Sequence, residues 1–167
     1  LASVHSALAS VAITGADVGT SAQIQTVVDA YNRILAEANG VAADATPGNN
    51  PVAATYAAIG AVTAAAMPNG SAAQTLLNDV VANALPSAVD TVPEIEALAA
   101  AVNAVMAKAA DSLQSIPTLT QLNLLGITGV QANNLAAVQA AIRYAPTGDL
   151  LALLAPHHSA AAPALPA

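Results

Sequence analysis

Thr20-Ser21-Ala22-Gln23-Ile24 and Thr91-Val92-Pro93-Glu94-Ile95 open two stretches of the chain that carry one pattern. After the first, Val27, Val28, Tyr31, Ile34, Leu35 and Ala38 are apolar. After the second, Leu98, Ala99, Val102, Val105, Met106 and Ala109 fall in the same steps. Steps of three and four residues gather side chains on one helix face. A threonine with Gln or Glu three residues on is the sequence form of a capping box. Asn32 and Asn103 hold the same place beside the apolar stripe. One helix is therefore written twice, at a period of roughly seventy residues, which is the mark of an array of structural units.

Outward from these helices the pattern continues. Residues 1–12 predict a short helix with Val4, Leu8 and Val11 on one face, broken by Ile13-Thr14-Gly15. The first long helix runs to about Ala38 and stops at Asn39-Gly40. A polar loop follows at 41–50. Pro51 suits the first turn of a second helix with Tyr56 and Ile59, and Met67-Pro68-Asn69-Gly70 is a turn. Ser71 caps a third helix with Leu76, Leu77, Val80 and Val81, and Leu85 falls in step at its end.

The second long helix runs to about Ser112. Pro117 starts a short helix through Leu119, Leu122 and Leu125, which ends at Gly126. A third helix carries Leu135, Val138 and Ile142, and Asp149–Ala155 adds a further turn or two. Pro51 with Ile59-Gly60 matches Pro117 with Leu125-Gly126, so the repeat extends past its first helix. Period-two alternation is absent, and the expected fold is all-α. It is a tandem of small helical bundles, about three helices per unit, stacked end to end. Residues 1–19 are a terminal helix left from a preceding unit, 20–90 the first unit, 91–155 the second, and 156–167 a Pro/Ala-rich tail or linker.

The composition fits thin, closely packed helices. Hydrophobic residues make up 56% of the 167, yet aromatics are only 2%, with no Phe, Trp or Cys. Small side chains bury little area each, so stability must come from many small contacts. The net charge is −7, with Arg33, Lys108 and Arg143 as the only basic residues. That excludes the basic patch a nucleic-acid partner requires and argues against an anionic membrane surface. The longest apolar stretch, Tyr56 to Met67, is too short to span a bilayer. Only 8% of residues are charged, a surface that resists self-association poorly. The chain does not open with Met and reads as processed or as an excised fragment.

Two segments carry a resemblance. Val28-Asp29-Ala30-Tyr31-Asn32-Arg33-Ile34-Leu35-Ala36-Glu37-Ala38 is one, and Leu124-Leu125-Gly126-Ile127-Thr128-Gly129-Val130 with Asn134-Leu135-Ala136-Ala137-Val138 is the other. Together they resemble the alanine-rich helical repeats of very large bacterial surface proteins of the adhesin and biofilm-matrix kind. Ala45-Thr46-Pro47-Gly48-Asn49-Asn50-Pro51 is similar to the loop between the first two helices of those repeats. The resemblance implies secretion to the cell surface or matrix, a stalk-like role and contacts between successive units. The short array and the unusual tail depart from that family.

No residue pattern points to catalysis. No serine has a base placed beside it, no glycine-rich phosphate loop is formed, and no cofactor is expected. His157-His158 lies in the tail, where a linker competes with a metal pair. The carboxylates are scattered, without the spacing of a calcium loop, and a calcium ion at unit junctions is left open. Asn69-Gly70-Ser71 fits the glycosylation sequon and equally a turn with its N-cap. Asn32 and Asn103 are either an exposed polar flank or a structural hydrogen bond to a loop or neighbouring helix. Tyr31 and Tyr56 occupy stripe positions, and Tyr144 is a candidate anchor for the next unit or an adjacent subunit.

The expected function is structural and non-enzymatic: a cell-surface or extracellular-matrix repeat protein. It would stack on neighbouring units or on copies of itself into a stalk or filament. The alternative is a small helical binding module that recognises a host or matrix ligand.

Overall fold

The computed structural model describes residues 2–41, 50–111 and 113–144. Those residues form eight α-helices and no strand. In chain order they are α1 (Ala2–Leu8), α2 (Ser21–Glu37), α3 (Ala53–Ala58), α4 (Val62–Ala65), α5 (Ala72–Asn83), α6 (Val92–Ala110), α7 (Leu119–Leu124) and α8 (Leu135–Tyr144). The fold is all-α, as the periodicity predicts.

The two long helices start where their threonines stand. The Thr20 N–H donates to Gln23 Oε1 at 3.0 Å, and the Gln23 N–H donates back to Thr20 Oγ1 at 3.3 Å. At the second start, Thr91 N–H and Oγ1–H donate to Glu94 Oε2 at 3.0 and 2.8 Å. Orphan amides of the first turn are satisfied in this way. Val27, Tyr31 and Ile34 of α2 and Ile95, Leu98, Val102 and Val105 of α6 are buried in one continuous core. Each such side chain contributes about 1.5–3 kcal/mol by leaving water.

The shorter helices recur in detail. α3 ends on Gly60 at φ 78° and α7 on Gly126 at φ 74°. Around the first, the Ala61 N–H donates to Tyr56 O at 3.0 Å and the Gly60 N–H to Ala57 O at 3.0 Å. Around the second, the Ile127 N–H donates to Leu122 O at 3.2 Å and the Gly126 N–H to Asn123 O at 3.0 Å. Both are Schellman ends, whose left-handed residue favours glycine. The carbonyl of Pro51 accepts from Asn78 Nδ2 at 2.9 Å, and that of Pro117 accepts from Gln139 Nε2 at 2.8 Å.

Four details differ from the sequence reading. The apolar run from Tyr56 to Met67 is two helices, because Gly60 turns the chain, so the first half holds α2 to α5. Pro51 and Pro117 lie just outside their helices. Val52 and Thr118 are the N-caps, and each proline offers its carbonyl to a later helix instead. α1 stops at Leu8 and leaves Val11 exposed. Leu85 lies beyond α5, exposed, before a 3-10 turn at Pro86–Ala88.

α6 is the centre of the packing, against α4, α5, α7 and α8, with α1 touching it as well. Three hydrogen bonds cross between distant segments there. The Thr63 N–H donates to Glu96 Oε1 at 2.8 Å, so a side chain of α6 caps the start of α4. The Val92 N–H donates to Ser6 Oγ at 2.9 Å, and Ser10 Oγ donates to Gly60 O at 3.1 Å. α1 is thereby fastened to the start of α6, and the turn that follows it to the α3–α4 turn.

Two charged residues lie inside at matching positions near the ends of the long helices. Glu37 is 4% exposed and Lys108 6%. Lys108 Nζ donates to Gln114 O at 2.9 Å, and its charge sits where the helix dipole favours a cation.

Candidate interaction surfaces

Two surface grooves repeat one construction. The first, of about 400 Å³, lies between the segment before α2, the second turn of α2 and the end of α3. Asp17, Gln23, Thr26, Val27, Ala57 and Ala58 line it. The second, of about 340 Å³, has Ala88, Glu94, Ala97, Leu98, Asn123 and Leu124 at the corresponding places. The sequence pattern places these residues pair by pair: Gln23 with Glu94, Thr26 with Ala97, Val27 with Leu98, and Ala57 with Asn123. Both grooves have small or apolar walls and one acidic residue. Asp17 is already engaged, because Thr14 donates to its Oδ2 through N–H at 2.8 Å and through Oγ1 at 2.6 Å. Those bonds hold its carboxyl below the usual aspartate range.

No family model, curated protein or solved structure matches the chain.

A third surface is the cleft where α1, the Gly60 turn and the start of α6 meet. Val62 faces Pro93 and Glu96 across it, beside Ser6 and Ser10. A fourth hollow, of about 370 Å³, has Glu37, Gln74, Asn78 and Asp79 on its walls beside the apolar Pro51, Val52 and Ala82. Gln74 is buried there and is tied to the turn before it. Its Nε2 donates to Asn69 Oδ1 at 2.9 Å, and its Oε1 accepts from the Gly70 N–H at 2.7 Å. Tyr56 lies close by. Burial, with the charge of Glu37 adding, pushes its hydroxyl well above the ordinary tyrosine range. Tyr31 shifts the same way, mainly through burial, while the nearby Ser6 hydroxyl works against the shift.

The residues singled out from sequence fall in different places. Asn32 and Asn103 are both exposed, on the outer faces of α2 and α6, and neither makes a side-chain hydrogen bond among the described residues. Tyr31 and Tyr56 are buried. Asn69 is exposed in its turn, its Oδ1 accepting from the Ala53 N–H at 2.9 Å. Ser71 caps α5, accepting from the Gln74 N–H at 3.2 Å. Tyr144 ends α8, and its side chain lies outside the described set. His157-His158, Asp149–Ala155 and the tail lie outside the described residues. Among the described residues no group of three or more His, Asp or Glu side chains is arranged to hold a metal. No described helix is long and apolar enough to cross a membrane.

Sequence reasoning missed the side chains that join segments: Asn78, Gln139, Glu96 and Ser6. Asn78 and Gln74 carried a signal. They are polar residues on the face of α5 that also carries Leu77 and Val81, where a polar group needs a partner.

Proposed function

We propose that the chain is a structural, non-enzymatic repeat protein of the cell surface or extracellular matrix that acts by stacking into a stalk or filament. Residues 20–90 and 91–155 are its units, and residues 1–19 are the remnant of a preceding one. The observation that carries this reading is the way α6 docks. The first helix of the second half lies on α4 and α5 of the first, and Glu96 caps α4 by accepting the Thr63 N–H at 2.8 Å. A unit that uses its opening helix to complete its predecessor extends by addition of like units. The extracellular placement draws on the resemblance to surface-protein repeats. The test is concentration dependence. Multi-angle light scattering and negative-stain images of the purified chain are expected to show growing, elongated assemblies. A compact monomer at all concentrations would sink the stacking reading.

A second reading, a small helical binding module for a host or matrix ligand, is favoured by the repeated grooves. Ala57→Glu with Ala97→Glu would then abolish adhesion of protein-coated beads to matrix while leaving light scattering unchanged. Unchanged adhesion would remove this alternative.

A further inference from the structure

We infer that the two ends of this molecule are the two halves of one interface, each occupied by the opposite end of a second copy of the chain. The inference rests on the stacking reading and names the surfaces that carry it. The template is inside the chain. α6 docks with Ile95 0% exposed and Ala99 buried, while its Glu96 accepts the Thr63 N–H. Val62 and Pro93 line one cleft at that contact. In the matching places of α2, Ile24 is 41% exposed, Val28 is half-buried, and Ala22 and Gln25 are exposed. Among the described helices, the short α1 stands where α4 and α5 stand for α6.

The other end shows the reverse deficit. The Gly60 and Gly126 turns align, so Val62 and Thr63 correspond to Thr128 and Gly129, and both of the latter are exposed. The proline-to-amide bonds align Asn78 with Gln139. Leu76, Leu77 and Val80 then correspond to Ala137, Val138 and Ala141. The first three are buried. Ala137 and Ala141 are exposed and Val138 is half-buried. The face that α6 covers in the first half is thus left open in the second among the described residues.

The chemistry of the two faces agrees. Gln25 presents a carboxamide oxygen where Glu96 presents a carboxylate, which leaves an acceptor for the Gly129 N–H. None of the facing positions Ala22, Ile24, Gln25, Thr128, Ala137 and Ala141 carries a charge, although the chain bears −7 overall. A charge stands beside the α2 face at the exposed Asp29, whose Oδ1 accepts from Gln25 Nε2 at 2.8 Å and leaves Gln25 Oε1 to accept from the second copy. The two faces are different, so the contact is heterologous and propagates head to tail.

The chain has no cysteine, so single thiols report the contact. Ala22→Cys and Thr128→Cys stand at the exposed counterparts of Pro93 and Val62. Under mild oxidation of the full chain, a mixture of the two single variants should give a disulfide-linked heterodimer, and the double variant a ladder. Ile24→Glu should weaken association at least about tenfold, since it drives a carboxylate into an apolar contact, and Gln25→Glu should strengthen it. Association by light scattering without the ladder would overturn these faces and leave the stacking reading standing. A monomer at every concentration would overturn both. A monomer that associates only after residues 147–167 are removed would assign the open face to the chain's own tail and overturn the second copy as its occupant.

Discussion

The side-chain amide of Asn78 donates to the carbonyl oxygen of Pro51 at 2.9 Å, while its own oxygen accepts the Tyr56 hydroxyl at 2.9 Å. One residue of α5 thus holds both the entry to α3 and the aromatic ring at its centre. Asn78→Ala removes both bonds and leaves the buried Tyr56 hydroxyl without its acceptor. The expected loss is about 2 kcal/mol, within a range of 1–3 for unsatisfied buried groups. Tyr56→Phe alone should cost less, because Asn78 keeps its bond to Pro51. Urea unfolding of both single variants and the double variant checks this: the double variant should lose less than the sum, and additive losses would show that the Tyr56–Asn78 bond contributes nothing.

Gly60 has no room for a side chain. A Cβ there would lie 2.6 Å from Ser10 Oγ and 3.0 Å from Ile13 Cγ1, at a backbone φ of +78°. Gly60→Ala is expected to cost roughly 1–3 kcal/mol in backbone strain alone and to push α1 off its seat. Faster proteolysis near Ser10, relieved in part by Ser10→Gly, is the measurement.

Ile24 and Ile95 occupy one position of the sequence pattern in two environments. Ile95→Ala should lose about 2–5 kcal/mol as a fully buried site, and Ile24→Ala distinctly less. Equal losses at low protein concentration would contradict the observed burial.

Asp17 and Asp111 report on pH. The Leu113 N–H donates to Asp111 Oδ1 at 2.8 Å and Gln114 Nε2 donates to Oδ2 at 3.0 Å, which lowers its carboxyl below the usual range, as Thr14 does for Asp17. A carboxyl depressed in the folded state contributes stability that is fully present above its unfolded value, about 3.9, and is lost as pH falls through the folded value. The advantage in melting temperature of the native chain over Asp17→Asn with Asp111→Asn should therefore be flat from pH 7 to 5 and shrink below pH 4. An advantage that persists at pH 2 would refute the assignment.

Much of the fold was legible because it is local. Thr20, Ser71 and Thr91 announce helix starts through partners three residues away. Gly60 and Gly126 announce ends through one backbone angle. The stripe from Ile24 to Ala38 needs only the helical period. The short α4 after Gly60 is not legible, because Ala and Val there suit any helix and its start depends on a cap from Glu96 far along the chain. Pro51 reads as a first-turn residue because proline is welcome there. What displaced it is the value of its carbonyl to Asn78. Asn32 and Asn103 drew attention by recurrence alone, whereas Asn78 and Gln139 form the paired bonds under different residue names.

The bond from the Val92 N–H to Ser6 Oγ joins residues 86 positions apart. On a ribosome that distance is time. At about 5–20 residues per second, α1 is made roughly 4–17 s before the start of α6 exists to receive it. During that interval, among the described residues, α2 and the Gly60 turn hold α1 and the turn after it, and Leu8 and Val11 are exposed. The last segment to be synthesised in this contact is the one that fixes the first, so the amino-terminal helix should be the late event in folding.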